Sequence, residues 1–324
     1  MIDAIRVYET GGPEVLKFEK VLVGEPGPGE ARVRHEAVGL NFIDVYFRTG
    51  LYKAAQLPFT PGNEGAGVVV SVGAGVGHVR PGDRVAYVTT PGSYAQERVL
   101  SAERLVKVPA GVDLKTAAAM MLKGMTAQYL LRRTFRVERG HTILFHAAAG
   151  GVGLIAGQWA KHLGATVIGA AGSEEKIALA KAHGYDHVVN YRTENFVERV
   201  RELTGGEGVD AVYDSVGRDT YMGSLDVLKP LSMFACFGQS SGSIPPFDLG
   251  LLAQKGSLFA TRPTLFNYVA KRADLEKTAA ELFEVVESGA VKIEINQTYA
   301  LKDARKAHED LEGRRTTGAS ILIP

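Results

Sequence analysis

A run of small residues, Ala147-Ala148-Ala149-Gly150-Gly151-Val152-Gly153, follows directly on the apolar stretch Thr142–His146 and opens a helix-length segment that continues to Leu163. Few folds tolerate that succession. Small residues are needed where a backbone turns sharply out of a strand and leaves the first N–H groups of a helix open, and such a turn seats a pyrophosphate on the positive helix end. A second strand-length run at Thr166–Ala170 completes the strand–turn–helix–strand context that the motif requires. The segment is therefore expected to bind a dinucleotide, with Gly150, Gly151 and Val152 against the phosphates.

From Thr142 onward, strand-length apolar runs alternate with amphipathic helices, the mark of repeated βαβ units. The pattern predicts strands at Thr142–His146, Thr166–Ala170, His187–Asn190, Val209–Asp214, Met233–Phe237 and Leu258–Ala260. It places helices at Gly151–Leu163, Glu174–Ala182, Asn195–Leu203 and Tyr221–Leu228. That rhythm fits an α/β fold with a doubly wound parallel sheet. The first 110 or so residues read differently, as short alternating strands cut by glycine and proline (Ala31–Val38, Gly67–Val72, Arg84–Val88), and suggest a small antiparallel β domain. A helical stretch at Leu114–Arg133 links the two. After Thr261 come a helix around Leu275–Ser288 and strand candidates at Lys292–Asn296 and Ser320–Ile323, which suit a return to the first domain. The expected division is 1–124, 125–261 and 262–324. A chain of 324 residues is long for one core.

At the end of the second strand the chain reads Ala170-Ala171-Gly172-Ser173-Glu174-Glu175-Lys176. An NAD site usually places an acidic residue there, against the ribose hydroxyls. Gly172 and Ser173 stand in its place, and Lys176 with Tyr191-Arg192 offers cations for a 2′-phosphate, so NADPH is expected rather than NADH. Phe237, Gly238 and Ser240 end another strand, where doubly wound sheets bind ligands.

Charge and cysteine content narrow the rest. The net charge of +1 draws the chain to neither nucleic acid nor an anionic membrane. No apolar run approaches the roughly 20 residues needed to span a bilayer, and the N-terminus lacks a signal-peptide pattern, so a cytoplasmic location is expected. Cys236 is the single cysteine; it suits a reducing compartment and is expected to pack as a small apolar residue. His35, His141 and His146 read as structural histidines.

Leu144 through Lys161 resembles the signature of the quinone oxidoreductase and zeta-crystallin branch of the medium-chain dehydrogenase/reductase superfamily. Asn41–Tyr46, Pro61–Gly67, Leu122–Ala127, Tyr213–Gly217 and Phe237–Gly242 also resemble family segments, in the family's order, so the likeness spans essentially the whole chain. The resemblance implies a GroES-like catalytic domain around a Rossmann domain, an active site in the cleft between them, a homodimer joined through the Rossmann sheets, and hydride transfer from NADPH to a quinone. An enone or enoyl reductase is the alternative. The zeta-crystallin relationship also implies crystallin or RNA-binding roles, against which near-neutral charge and the lack of an RNA motif count.

Zinc enzymes of the superfamily use cysteine and histidine ligands to hold a Lewis acid. Here Asn41 and Asp44 stand in the segment of a ligand cysteine, Asn63 replaces a histidine, and the lobe of clustered cysteines is missing, so no metal is expected. A quinone accepts hydride without a Lewis acid, which leaves the protein to position the reactants. The resemblance implies Asn41, Asp44, Tyr46, Tyr52 and Lys123 at the substrate end. It implies Phe42, Thr126, Ser215, Arg262, Arg315 and Thr317 as further cofactor contacts.

Overall fold

The alternating runs of the N-terminal part become β1 (Ile2–Arg6), β2 (Lys17–Val21), β3 (Glu30–Leu40), α1 (Phe42–Thr49), β4 (Glu64–Val72), β5 (Arg84–Val88), β6 (Glu97–Ser101), β7 (Leu105–Lys107) and α2 (Leu114–Tyr129). The computed structural model describes residues 1–324. They group into two units: Met1–Met125, Val269–Glu287 and Ile293–Pro324 form the first, Thr126–Tyr268 and Ser288–Lys292 the second. The boundaries read from the sequence, after residues 124 and 261, compare with crossings after Met125 and Tyr268.

The second unit carries β8 (Thr142–Phe145), α3 (Gly151–His162), β9 (Thr166–Ala171), α4 (Glu174–Ala182), β10 (His187–Asn190), α5 (Phe196–Leu203), β11 (Val209–Asp214), α6 (Tyr221–Asp226), β12 (Leu228–Cys236), α7 (Gly250–Gln254), β13 (Phe259–Thr261) and α8 (Leu265–Tyr268). Its six strands are parallel in the order β10-β9-β8-β11-β12-β13. Numbered along the chain this is 3-2-1-4-5-6, the doubly wound order, which reverses direction between β8 and β11. Strands covered on both faces need continuous apolar sequence, and Ile143-Leu144-Phe145 and Ala211-Val212-Tyr213 are buried throughout. The helix expected to reach Leu228 stops at Asp226. Leu228 already pairs with Val209, and a register shift then brings Met233 opposite Ala211, so the expected strand Met233–Phe237 corresponds to the second half of a longer one.

In the first unit the chain returns as α9 (Arg272–Glu287), β14 (Ile295–Ala300), α10 (Ala304–Glu312) and β15 (Ala319–Ile323). A seven-stranded sheet runs β14-β15-β3-β4-β5-β7, with β6 also on β3. The tail completes this sheet, since β15 pairs antiparallel with β3, Ile321 opposite Gly39. The strand expected at Lys292–Asn296 begins only at Ile295. Lys292 belongs to the second unit, where its backbone N–H and carbonyl are both bonded to the Gln158 side chain. Val38, Leu40, Tyr94, Leu301, Ala304, Ala307 and Leu322 form one apolar cluster. This cluster fixes the end of β3, and with it the start of α1.

Candidate active site

Asn41 sits in extended conformation between β3 and α1 as the helix N-cap. Its backbone N–H donates to Asp44 Oδ2 at 2.9 Å, and its side-chain Nδ2 donates to Glu64 Oε1 at 2.6 Å. The same Glu64 oxygen accepts from Lys123 Nζ at 2.7 Å, while Oε2 accepts the Leu122 backbone N–H at 2.6 Å. Glu64 has no exposure and Lys123 almost none. Glycine is required beside it, at Gly39, because a Cβ there would lie 2.5 Å from the Glu64 carboxyl carbon and 2.6 Å from the Ala118 carbonyl oxygen. Three of the expected substrate-side residues, Asn41, Asp44 and Lys123, are thus drawn together around a carboxylate that the sequence reading did not single out.

Asp44 is completely buried. Burial pushes its carboxyl up to about 7, against the opposing pull of hydrogen bonds from the Asn41 N–H and the Tyr94 hydroxyl; Glu64 adds to the rise and Lys123 lowers it. Tyr46 and Tyr52 belong to an aromatic row on and after α1: Tyr46 lies 5.5 Å from Phe42 and 5.1 Å from Tyr52, ring centre to ring centre. The Tyr52 N–H donates to the Tyr46 carbonyl at 3.0 Å, which fixes the turn that carries the second ring.

These residues do not form a zinc site. Both Glu64 oxygens are engaged by an ammonium, an amide and a backbone N–H. Asn63, in place of a histidine, donates its amide to the Thr89 carbonyl. The donors hold a cation already, as Lys123, and no thiolate or imidazole faces it.

The second unit carries most of the expected nucleotide residues, at the carboxyl ends of its parallel strands. After β8, Gly150 caps α3, and a Cβ on Gly153 would come 2.5 Å from the carbonyl oxygens of both Ala147 and Ala148, so only glycine permits that turn. After β9, the Ser173 hydroxyl accepts the Lys176 N–H at 3.3 Å and starts α4. A Cβ at Gly172 would meet the Tyr191 hydroxyl, the far end of a side chain that stands exposed after β10 beside Arg192. After β11 and β12, the backbone of Ser215 meets Gly238 and Ser240, with the Ser240 N–H donating to the Ser215 carbonyl at 3.1 Å. Phe237 packs on Phe145 with ring centres 5.5 Å apart. Arg262 is exposed just after β13, and Thr126 is buried in α2.

Phe42, Arg315 and Thr317 belong to the first unit. Arg315 is bonded to Asp310 and to the Glu309 carbonyl, and Thr317 to Asn296, so both brace the C-terminal segment. Asp214, which the sequence reading passed over, organises the loop after β11. It accepts the Val216 and Gly217 N–H groups on Oδ1 and the Thr220 and Ser224 hydroxyls on Oδ2. Ser224 also reaches His146 Nε2 at 2.9 Å, a buried imidazole of structural character. Cys236 is buried and its thiol is pushed up to about 11, first by burial, so it packs as an apolar group.

A GroES-like β unit joined to a 3-2-1-4-5-6 parallel sheet defines a medium-chain dehydrogenase/reductase, and the domain matches agree: residues 27–133 match the alcohol dehydrogenase GroES-like domain, and residues 151–283 the zinc-binding dehydrogenase domain. The chain is 51% identical over 325 residues to a quinone oxidoreductase of Pseudomonas aeruginosa, both chains covered in full. It is 45% identical over 334 residues to a 2-haloacrylate reductase of a Burkholderia species, covering 100% of this chain and 99% of the relative. Its structure matches that of the Escherichia coli quinone oxidoreductase complexed with NADPH at a TM-score of 0.98 and 46% identity, over 99% and 100% of the two chains. The chain belongs to the quinone oxidoreductase, zeta-crystallin-like family of that superfamily.

Proposed function

We propose that this chain is an NADPH:quinone oxidoreductase that works without a metal. The observation that carries the reading is the buried Asn41–Glu64–Lys123 cluster, which supplies a fixed cation and amide where zinc relatives hold a metal. NADPH, when bound, supplies the hydride; the quinone takes up both electrons and leaves as hydroquinone once a solvent proton has neutralised the oxyanion. Gly150, Gly151 and Val152 hold the pyrophosphate, Lys176, Tyr191 and Arg192 the 2′-phosphate end, and Ser215, Phe237, Gly238 and Ser240 line the same carboxyl edge of the sheet. Thr126 and Arg262 of the same unit add further cofactor contacts. On the substrate side Lys123 and Asn41 keep N–H groups beyond those given to Glu64, and these favour negative charge on the acceptor oxygen as fixed dipoles, the ammonium charge itself being balanced by Glu64. Asp44 keeps Asn41 at the helix cap, and Tyr46 and Tyr52 offer flat rings against a planar acceptor.

The test is loss of nicotinamide absorbance with chelator-treated protein and benzoquinone, phenanthrenequinone, an enone and a simple ketone, each with NADPH and with NADH. Quinone-dependent oxidation that survives chelation and favours NADPH is expected; a reaction restored only by added zinc would refute the metal-free reading. The relative that reduces 2-haloacrylate supports a second reading, an electron-poor alkene as acceptor. Reaction with the enone alone would favour it.

The same reading carries a homodimer and a cytoplasmic setting. β13 is the outer strand of its sheet and Phe259 on it is 58% exposed, which suits pairing with a second copy; a monomer mass by light scattering would exclude that. The lone buried thiol suits a reducing compartment. No helix is long and apolar enough to cross a membrane.

A further inference from the structure

Behind Asp44 the first unit contains a buried polar chain that the proposed reaction does not use. Tyr94 Oη lies 2.9 Å from Asp44 Oδ2 and 3.2 Å from His308 Nε2. His308 Nδ1 lies 3.3 Å from Arg48 Nη1, and the Arg48 guanidinium is clamped by both Glu312 oxygens at 2.8 and 2.9 Å. Arg48, Tyr94 and His308 are almost wholly buried.

The direction of these bonds follows from the donors. A guanidinium can only donate, so His308 accepts at Nδ1 and carries its proton on Nε2. Nε2–H then donates to Tyr94, which gives its single hydroxyl proton to Asp44. Burial first, and the Arg48 charge second, push His308 down to about 3, so it stays neutral and the order of donors holds across the working range. Burial holds the Tyr94 hydroxyl well above its ordinary range, so its proton stays in place. All donors converge on one oxygen of Asp44, whose other oxygen has no partner.

We propose that Tyr94 and His308 are positioning residues for the substrate end: they hold the Asp44 carboxylate, which in turn holds Asn41 at the head of α1. The proposal rests on the reading of Asn41 as a substrate-side group. The groups facing Asp44 are Tyr94 from the segment before β6, Glu64 of β4 and Lys123 of α2, with Arg48 of its own helix and His308 of α10 behind Tyr94.

The test follows Asp44 itself, by carbon-13 NMR of the full chain labelled at aspartate carboxyls, with Asp44→Asn to assign the signal. The wild-type midpoint is expected near 7. Tyr94→Phe removes a donor to the charged form and should raise it by about one unit, and His308→Leu by less. The pH profile of kcat/KM for benzoquinone should move with it while KM for NADPH stays put. An unchanged Asp44 midpoint in the folded variants overturns the proposal, and if Tyr94→Phe does not fold, His308→Leu decides. A chain in which Asp44 shifts as expected but no acceptor is reduced overturns the reading of the substrate end and leaves the hold on Asp44 standing.

Discussion

Glu64 shows how one side chain can define a site. Its two oxygens take three hydrogen bonds in a place water does not reach, and the Lys123 ammonium supplies the opposing charge at 2.7 Å. Removing one member of such a pair leaves an uncompensated buried charge, a loss of about 3–5 kcal/mol. Lys123→Met should fall near the lower end, about 3 kcal/mol, because the Asn41 amide and the Leu122 N–H still donate to the carboxylate. Urea unfolding followed by circular dichroism measures this. A loss below about 1 kcal/mol, the range of an exposed pair, would mean that the carboxylate is solvated in solution and that the cluster does not preorganise charge.

In the proposed cofactor site, the start of α4 and the end of β10 are the elements that set the preference between the two nicotinamide cofactors. Gly172 yields its space to Tyr191, Ser173 spends its hydroxyl on the helix cap, and the cations Lys176 and Arg192 remain near the two strand ends. A charge-assisted hydrogen bond contributes about 1.5–3 kcal/mol, so Arg192→Ala or Lys176→Ala should raise KM for NADPH by about tenfold or more and leave KM for NADH within about twofold. Equal losses with both cofactors would remove the 2′-phosphate role. The sequence reading of this preference uses only local features: a strand, a turn without a carboxylate, a cap. The parallel strands were legible for a related reason, as burial on both faces writes continuous apolar runs such as Ile143-Leu144-Phe145. α1 and α10 were not foreseen. Each is short, eight residues in α1 and nine in α10, and each buries polar side chains, Asp44 and Arg48 in one and His308 and Asp310 in the other, at positions where a sequence reading looks for apolar ones. The contact from Arg48 to His308 spans 260 residues, and no periodicity records a partner at that distance. Asn41 followed three positions later by Asp44 was the available signal for α1, since a capping side chain at that spacing marks a helix start.

Charge burial summed over the fold sets how the protein responds to acid. Burial pushes His35 down to about 4 and His308 to about 3, and it lowers His146 as well. Unfolded, each imidazole takes up a proton near 6.5, so the unfolded state binds more protons below that pH. The stability these histidines contribute is present above about pH 6.5 and is lost as the pH falls toward 4 and 3. Asp44 acts with the opposite sign. Its folded carboxyl is protonated near 7 while the unfolded one waits until 3.8, so the fold gains relative stability as the pH falls through that window. The histidines outnumber the carboxyl, and stability should decline from pH 6.5 to 4.5, with Asp44 blunting the slope. Asp44→Asn removes the blunting and should steepen the fall in urea midpoint over that range, whereas His35→Gln, which cannot take up a proton, should flatten it. Curves for both variants that run parallel to the wild type would show that neither group changes its protonation on unfolding.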